Sequence, residues 1–437
     1  MVKTTPRADR ALNPQPRVAM IQDGARRQYL VPLGLQGAGI LERVYIDWFV
    51  RRGSPQEMLA RVVSGIKPKL GRKMLERSCP ELDPRRVVSN TPMALRLRAR
   101  MSKFAKSEDA YMWHSRQTAK WVERRGFGEA NVLYGFIRNA APEVYRAAKA
   151  RGLRTAGDQI IAPLEVEVAE MKRQLERWPG WNDREAVELH PEYARFERET
   201  WEVLDRITCM SPYVREGLEA VGVPAGKIEV IPYPSAISPR GYVPRTRKNG
   251  PLVVGFVGAV GLRKGAPWFL EVARRFDPVR VRFVMVGSIM IDGSKLEPYA
   301  GRVEMVGGVP RSEAREWMRR FDVFFFPSTC EGSAGAVMQA MEAGLAVLTT
   351  HNSGSRVRDG VDGFIRKYDD VEGFKEAIER LDEDRDLLVR MGESARQRVL
   401  DYGMTAYQKD LGNFFGRLVN PEGGGSYSES RGAGKEA

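Results

Sequence analysis

Residues 327–350 read PSTCEGSAGAVMQAMEAGLAVLTT. The preceding apolar run, Val323–Phe326, reads as a buried strand, and Glu331 follows five residues after its end. Gly332, Ser333, Ala334 and Gly335 then leave the backbone bare before a helix beginning near Ala336. Bare amides at a helix start, within the field of its dipole, favour an anion. The carboxylate of Glu331 beside that anion suits hydroxyl groups. Gln339, eight residues on, faces the same place, and Ala346–Thr349 reads as the next strand. A buried strand, a carboxylate and a loop of tiny residues are poor choices for packing alone.

A second stretch of the same kind lies upstream. GFVGAVGLRKG, Gly255–Gly265, follows a strand Leu252–Val257 and leads into a helix at Trp268–Phe276. Its spacing is not the G-x-G-x-x-G dinucleotide fingerprint. Its glycines, Gly258 among them, still let backbone approach phosphate oxygens, and Arg263 and Lys264 beside a helix start suit a diphosphate. Between the two motifs, strands are expected at Arg282–Val286 and Val303–Met305, with a helix at Arg311–Arg319. After them come helices at Val371–Leu381, Asp384–Val399 and Ala406–Leu418.

The N-terminal half repeats the alternation. Strands are expected at Arg17–Ile21, Val44–Ile46, Asn131–Tyr134, Leu153–Asp158, Arg206–Met210 and Lys227–Ile231. Helices fall between them, including Pro142–Ala150, Pro163–Trp178 and Pro191–Asp205. Pro232–Pro251 holds five prolines and no hydrophobic period, so it reads as a linker. At roughly 100–200 residues per domain, 437 residues divide naturally into two α/β units, whose ligands bind at the carboxyl ends of the strands.

Composition narrows the function. With 43% hydrophobic and 29% charged residues, the chain can build a core and is not disordered throughout. No apolar run is long enough to span a bilayer, and the charged N-terminus is no secretory signal, so a cytosolic protein is expected. Cys79, Cys209 and Cys330 are too sparse for a disulfide framework, and His114, His190 and His351 show no metal-ligand spacing. Of the net charge of +14, residues 51–125 carry +12, from 19 basic and 7 acidic residues. Such a field favours an anionic partner. Met93, Leu97, Met101 and Phe104 form a stripe on a basic amphipathic helix, which packs inward or lies on a membrane surface. Aromatic residues do not interleave with the basic ones as a stacking platform requires, so no nucleic-acid partner is expected.

The Pro327–Thr350 segment resembles the retaining glycosyltransferases of family 4, whose pattern is P-S-x-x-E-G-F-G-x-x-x-x-E-A-M-A-x-G-x-P-V. Pro327, Ser328, Glu331, Gly332, Ala340, Met341, Gly344 and Val347 match it. GFVGAVGLRKG, GVPRSEAREWMRRFDVFFFPS and SGSRVRDGVDGFI extend the resemblance over about residues 251–415. The N-terminal half is similar to a bacterial subgroup. The resemblance implies a GT-B fold, two Rossmann-like doubly wound parallel sheets facing a cleft. It implies a lead-in 1–16, an acceptor-side domain 17–235, a linker 236–251, a nucleotide-sugar-binding domain 252–404, a helix 405–420 returning to the N-terminal domain and a flexible tail 421–437.

The activity implied is transfer of a sugar from a nucleoside-diphosphate sugar to a saccharide or lipid-linked saccharide, with retention of configuration, in polysaccharide biosynthesis. Arg263 and Lys264 would neutralise the donor diphosphate, and Glu331 would bind donor-sugar hydroxyls. Ser333, Ala334 and Gly335 would offer amides. Val309 and Pro310 would flank the nucleobase, and Gly24 would face the donor from the N-terminal side. The nucleotide sugar is a substrate, and neither cofactor nor essential metal is implied. The basic segment 51–125 is read as facing an anionic membrane, with the protein peripheral at its inner face.

Five places depart from the family. Gln339 stands where a second Glu is usual, and Ser333-Ala334 replace F-G with Gly335 one residue late. Ala259 stands where the family has Arg, with Arg263 as its replacement. Tyr134–Asn139 lacks the family's His, leaving Arg138 and Asn139 as polar stand-ins, and Pro232-Tyr233-Pro234 replaces P-Y-G. These departures keep open an alternative, a catalytically impaired nucleotide-sugar-binding protein of the same fold.

Overall fold

Apolar strands that alternate with helices bury both faces of a sheet, and the two halves of this chain do so separately. A computed structural model describes residues 14–100, 103–104, 106–183, 188–235 and 250–421. Most of the expected lead-in 1–16, of the linker 236–251 and of the tail 421–437, and Met101 of the expected stripe, lie outside the described residues.

The N-terminal strands are β1 (Val18–Gln22), β2 (Leu41–Ile46), β3 (Val87–Ser89), β4 (Val132–Phe136), β5 (Arg154–Gln159), β6 (Arg206–Cys209) and β7 (Ile228–Val230). Among the described residues they form one sheet of order 3-2-1-4-5-6-7, and every pairing is parallel. The C-terminal strands are β8 (Leu252–Val257), β9 (Val281–Val286), β10 (Val303–Gly307), β11 (Val323–Phe326), β12 (Ala346–Thr349) and β13 (Gly363–Ile365). Their order is 10-9-8-11-12-13, again parallel throughout. The order in which strands are added reverses between β1 and β4 and between β8 and β11. Those two switch points are where doubly wound sheets open a crevice.

β3 and β13 have no counterpart among the expected strands. Each has three residues at a sheet edge, where one neighbour decides the pairing. The expected amphipathic stripe is also corrected. Its helix, Thr91–Arg100, stops before Phe104, and of the stripe residues on it Met93 is buried and Leu97 half-buried. An apolar face stands in solvent instead on the helix Pro55–Ile66, where Met58, Val62 and Ile66 are 68%, 62% and 75% exposed.

Two segments tie the halves together. The helix Met404–Val419 leaves the C-terminal sheet and buries Tyr407, Leu411, Phe414 and Phe415 against β1, β2 and β4. In the other direction, the helix Leu164–Arg177 and its continuation place Met171 and Trp181 in the C-terminal core. There Trp268 Nε1 donates to Gln174 Oε1 at 2.9 Å.

Asp158, at the end of β5, lies under this crossover. It accepts from Tyr233 Oη at 2.5 Å and Thr208 Oγ1 at 3.1 Å. Burial pushes its carboxyl up to about 6, against those hydrogen bonds and the charge of Arg27. The native state therefore holds this proton more tightly than the unfolded chain. Asp158 is neutral in both states below about pH 4, and its ionisation costs stability as pH rises from about 4 to 6, by about 3 kcal/mol. Urea unfolding across that range should show D158N gaining on the wild type by this amount as pH rises; parallel curves would refute the assignment.

Candidate active site

The loop after β8 and the loop after β11 flank the C-terminal switch point and are stitched to each other. Arg263 O accepts from Ser328 Oγ at 3.0 Å, from Thr329 N at 3.0 Å and from Thr329 Oγ1 at 3.1 Å. Gly265 permits the approach: its φ is +76°, and a Cβ there would sit 1.8 Å from Pro327 O. The loop after β12 supports the second strand end. Thr350 Oγ1 donates to Ser328 O at 2.6 Å, Asn352 Nδ2 to Thr329 O at 2.7 Å, and Glu331 N to Asn352 O at 2.9 Å.

This scaffold brings three of the sequence-derived residues into contact. Arg263 NH1 donates to Glu331 Oε1 at 2.9 Å, and Lys264 Nζ reaches the same oxygen. The side chains of Arg263, Lys264 and Glu331 are 17%, 18% and 12% exposed. Two cations share one carboxylate at the mouth of the sheet. A guanidinium and an ammonium placed together at a strand end suit an anion. Lys264 Nζ also lies 5.6 Å from the centre of the Phe326 ring.

The remaining candidates fall around it. Ser333 and Gly335 lie at the start of the helix Gly335–Glu342, and Gln339 is half-buried one turn further on. Ala334 N already donates to Ser353 O at 2.9 Å, so this amide is not offered to a ligand. Gly258 N is likewise taken by Val286 O at 2.9 Å. Val309 and Pro310 follow β10 at the same end of the sheet, Val309 half-buried and Pro310 exposed. On the opposite sheet, Gly24 N donates to Asp47 Oδ1 at 2.7 Å. Arg138 is turned inward, bonded to Glu197 at 2.6 Å, Glu167 at 3.4 Å and Ala162 O at 3.2 Å. Asn139 Nδ2 donates to Asp23 Oδ2 at 2.9 Å.

Other residues at the cleft escaped sequence reasoning. Arg27 NH2 crosses to Ser333 O at 3.2 Å, and its guanidinium lies 5.1 Å from the Tyr233 ring centre. Arg27, Gln28 and Tyr29 are three successive non-glycine residues at φ 48°, 53° and 62°, a conformation that costs about 1–3 kcal/mol per residue. No residue in QDGARRQYL announces it, since glycine and asparagine are the usual markers of that region. Ser211 Oγ donates to Gly332 O at 2.6 Å, and a Cβ on Gly332 would sit 1.9 Å from Ile160 O. Among the described residues, no three His, Cys, Asp or Glu side chains converge as metal ligands do.

Residues 251–384 match the profile of the family described as Glycosyl transferases group 1. The chain is 25% identical over 266 residues to the lipopolysaccharide core biosynthesis glycosyltransferase LpsE of Rhizobium meliloti, covering 56% of this chain and 76% of that one. Among solved structures, sucrose-phosphate synthase from Thermosynechococcus elongatus superposes with a TM-score of 0.59 at 16% identity, over 93% of this chain and all of that one. Anabaena HepE, crystallised with UDP and glucose, gives 0.54 at 13% identity, over 92% and 99%. The two Rossmann-like sheets are thus arranged in the GT-B fold.

Glu331→Gln removes the carboxylate that Arg263 and Lys264 share. Breaking these largely buried ion pairs should cost about 3 kcal/mol. Pyrophosphate should restore the melting temperature of E331Q and raise that of the wild type less. A melting temperature of E331Q indifferent to pyrophosphate would show that these cations do not face an anion site.

Proposed function

We propose that this protein transfers a sugar from a nucleoside-diphosphate sugar to a saccharide or lipid-linked saccharide, retaining the anomeric configuration. The observation that carries the reading is the convergence of Arg263 and Lys264 on Glu331 at a sheet mouth closed over by the N-terminal domain. Glycosyltransferase activity is supported by the family profile over residues 251–384 and by the likeness to LpsE.

In the reaction the acceptor oxygen bonds to the anomeric carbon as that carbon's bond to the diphosphate breaks. Attack comes from the face the nucleotide leaves, and the acceptor proton passes to the departing phosphate oxygen. Arg263 and Lys264 bear the charge that accumulates on the diphosphate, placed in advance and shielded from water, which removes the need for a metal. Diphosphate binding draws the two cations from Glu331, whose carboxylate is then free for sugar hydroxyls. Val309 and Pro310 provide the apolar flank for the base. Contacts across the cleft at Arg27, Ser211 and Gly332 exclude water.

A panel of uridine, guanosine and adenosine diphosphate sugars, incubated with protein and membrane extract, tests this by mass spectrometry. One donor should yield free nucleoside diphosphate and glycosylated product. Lys264→Ala should lower kcat/KM about a hundredfold or more. Gln339 and the inward-turned Arg138 favour a second reading, donor binding without turnover. Thermal stabilisation by a donor with no nucleotide released would establish it.

The acceptor side is read as an anionic membrane surface. The helix Pro55–Ile66 presents Met58, Val62 and Ile66 to solvent, with Arg61 and, just beyond, Lys67, Lys69, Arg72 and Lys73 exposed around them. An apolar stripe ringed by cations matches the interface of an anionic bilayer, each cation adding about 1 kcal/mol near the surface. No described helix is long and apolar enough to cross a membrane. The protein should float with phosphatidylglycerol liposomes at low salt and not with phosphatidylcholine. V62D/I66D should remain at the bottom of the gradient; equal flotation of the variant would remove this face from the account.

A further inference from the structure

The strand ends of the N-terminal sheet carry a second polar cluster that the proposed chemistry does not use. Asp23, in the loop after β1, accepts from Asn139 Nδ2 at 2.9 Å and pairs with His114 Nε2 at 3.2 Å. His114 comes from the helix Ser107–Arg125 and is 1% exposed, Asn139 is 2% exposed, and Gln22, next to Asp23, is fully buried. Burial opposes the charging of both members of the pair. Their mutual attraction outweighs it, holding Asp23 below the ordinary carboxylate range and His114 above the ordinary imidazole range. Asp47 adds to the attraction on His114, Arg77 opposes it, and Arg26 faces Asp23.

Four buried polar atoms around Asp23 have no protein partner: Gln22 Oε1, Arg26 Nε, His114 Nδ1 and Asn139 Oδ1. Most buried polar atoms of a folded protein find a partner, and four of the ten without one among the described residues stand at this one sheet mouth, where α/β sheets take ligands. The two amide orientations are fixed by what they touch. Gln22 Nε2 donates to Gly24 O at 2.9 Å and Asn139 Nδ2 to a carboxylate, both acceptor-only partners. Their unpartnered atoms are therefore acceptor oxygens, while Arg26 Nε is a donor. Amide acceptors, the Arg26 and His114 nitrogens and a carboxylate together suit hydroxyl groups, which both donate and accept.

We infer that the cluster around Asp23 is a subsite for the hydroxyls of a neutral sugar ring, with Asp23 as its charged anchor and His114 as a positioning residue. The inference rests on the sugar-transfer reading and extends it to residues on the N-terminal side of the cleft. The hydroxyls belong either to the acceptor or to the sugar being transferred.

Calorimetry and ligand-observed NMR on the full chain separate these cases. UDP, UDP-glucose, UDP-galactose and the methyl glycosides of glucose, galactose and mannose are the probes. UDP affinity should be the same within twofold in wild type, D23N, H114L and H114Q. D23N and H114L should weaken sugar binding at least fivefold, and H114Q, which can still donate to Asp23, should recover most of it. A loss seen in a UDP-hexose relative to UDP assigns the subsite to the transferred sugar. A loss seen only for glycosides added to the UDP complex assigns it to the acceptor. Unchanged sugar binding in D23N, or no sugar binding to a protein that binds UDP, overturns the inference. Failure of the wild type to bind UDP or either UDP-hexose overturns the reading beneath it.

Discussion

Two cations held on one carboxylate organise this molecule. Arg263 and Lys264 are adjacent in sequence and mostly buried, and like charges so placed repel unless something negative stands between them. Glu331 supplies it from the next loop. The pairing requires the loop after β8 and the loop after β11 to meet. The close approach at Gly265 and the three hydrogen bonds to Arg263 O secure that meeting. It sets both cations at a strand-end crevice. In the proposed reaction a diphosphate meets them there and frees Glu331 for the sugar it carries.

The same loop is where the two domains touch. Gly332 follows Glu331 and has no room for a side chain against Ile160 O, while its carbonyl accepts from Ser211. Arg27 reaches Ser333 from a backbone held in a strained conformation. The loop that carries Glu331 therefore also carries contacts with the N-terminal domain, through Gly332 and Ser333. The aromatic contact of Trp178 with Trp181 and Trp268 and the returning helix Met404–Val419 hold the remainder of the two units in register.

Much of the C-terminal half could be read directly. Leu252–Val257, Val323–Phe326 and Ala346–Thr349 are continuous apolar runs bounded by glycine, proline or small residues, and they occupy those same residues as strands. Short edge strands such as Gly363–Ile365 lack that pattern, because their pairing is set by a neighbour rather than by their own side chains. The basic helix was expected to run through Phe104 because periodicity alone does not show where a helix stops. Site residues divide in the same way. Arg263, Lys264 and Glu331 stand beside glycine-rich turns that announce them. Arg27, Ser211 and His114 matter through contacts 306, 121 and 91 residues away in sequence, which no local pattern encodes.

A crystal structure of the protein with UDP would show whether Arg263 and Lys264 hold a diphosphate. The diphosphate should lie within hydrogen-bonding distance of the Arg263 guanidinium and Lys264 Nζ, at the start of the helix Gly335–Glu342, with Lys264 drawn away from Glu331. A nucleotide bound elsewhere, or one seated in the cleft with the Lys264–Glu331 pair intact and its phosphates in solvent, would contradict that role.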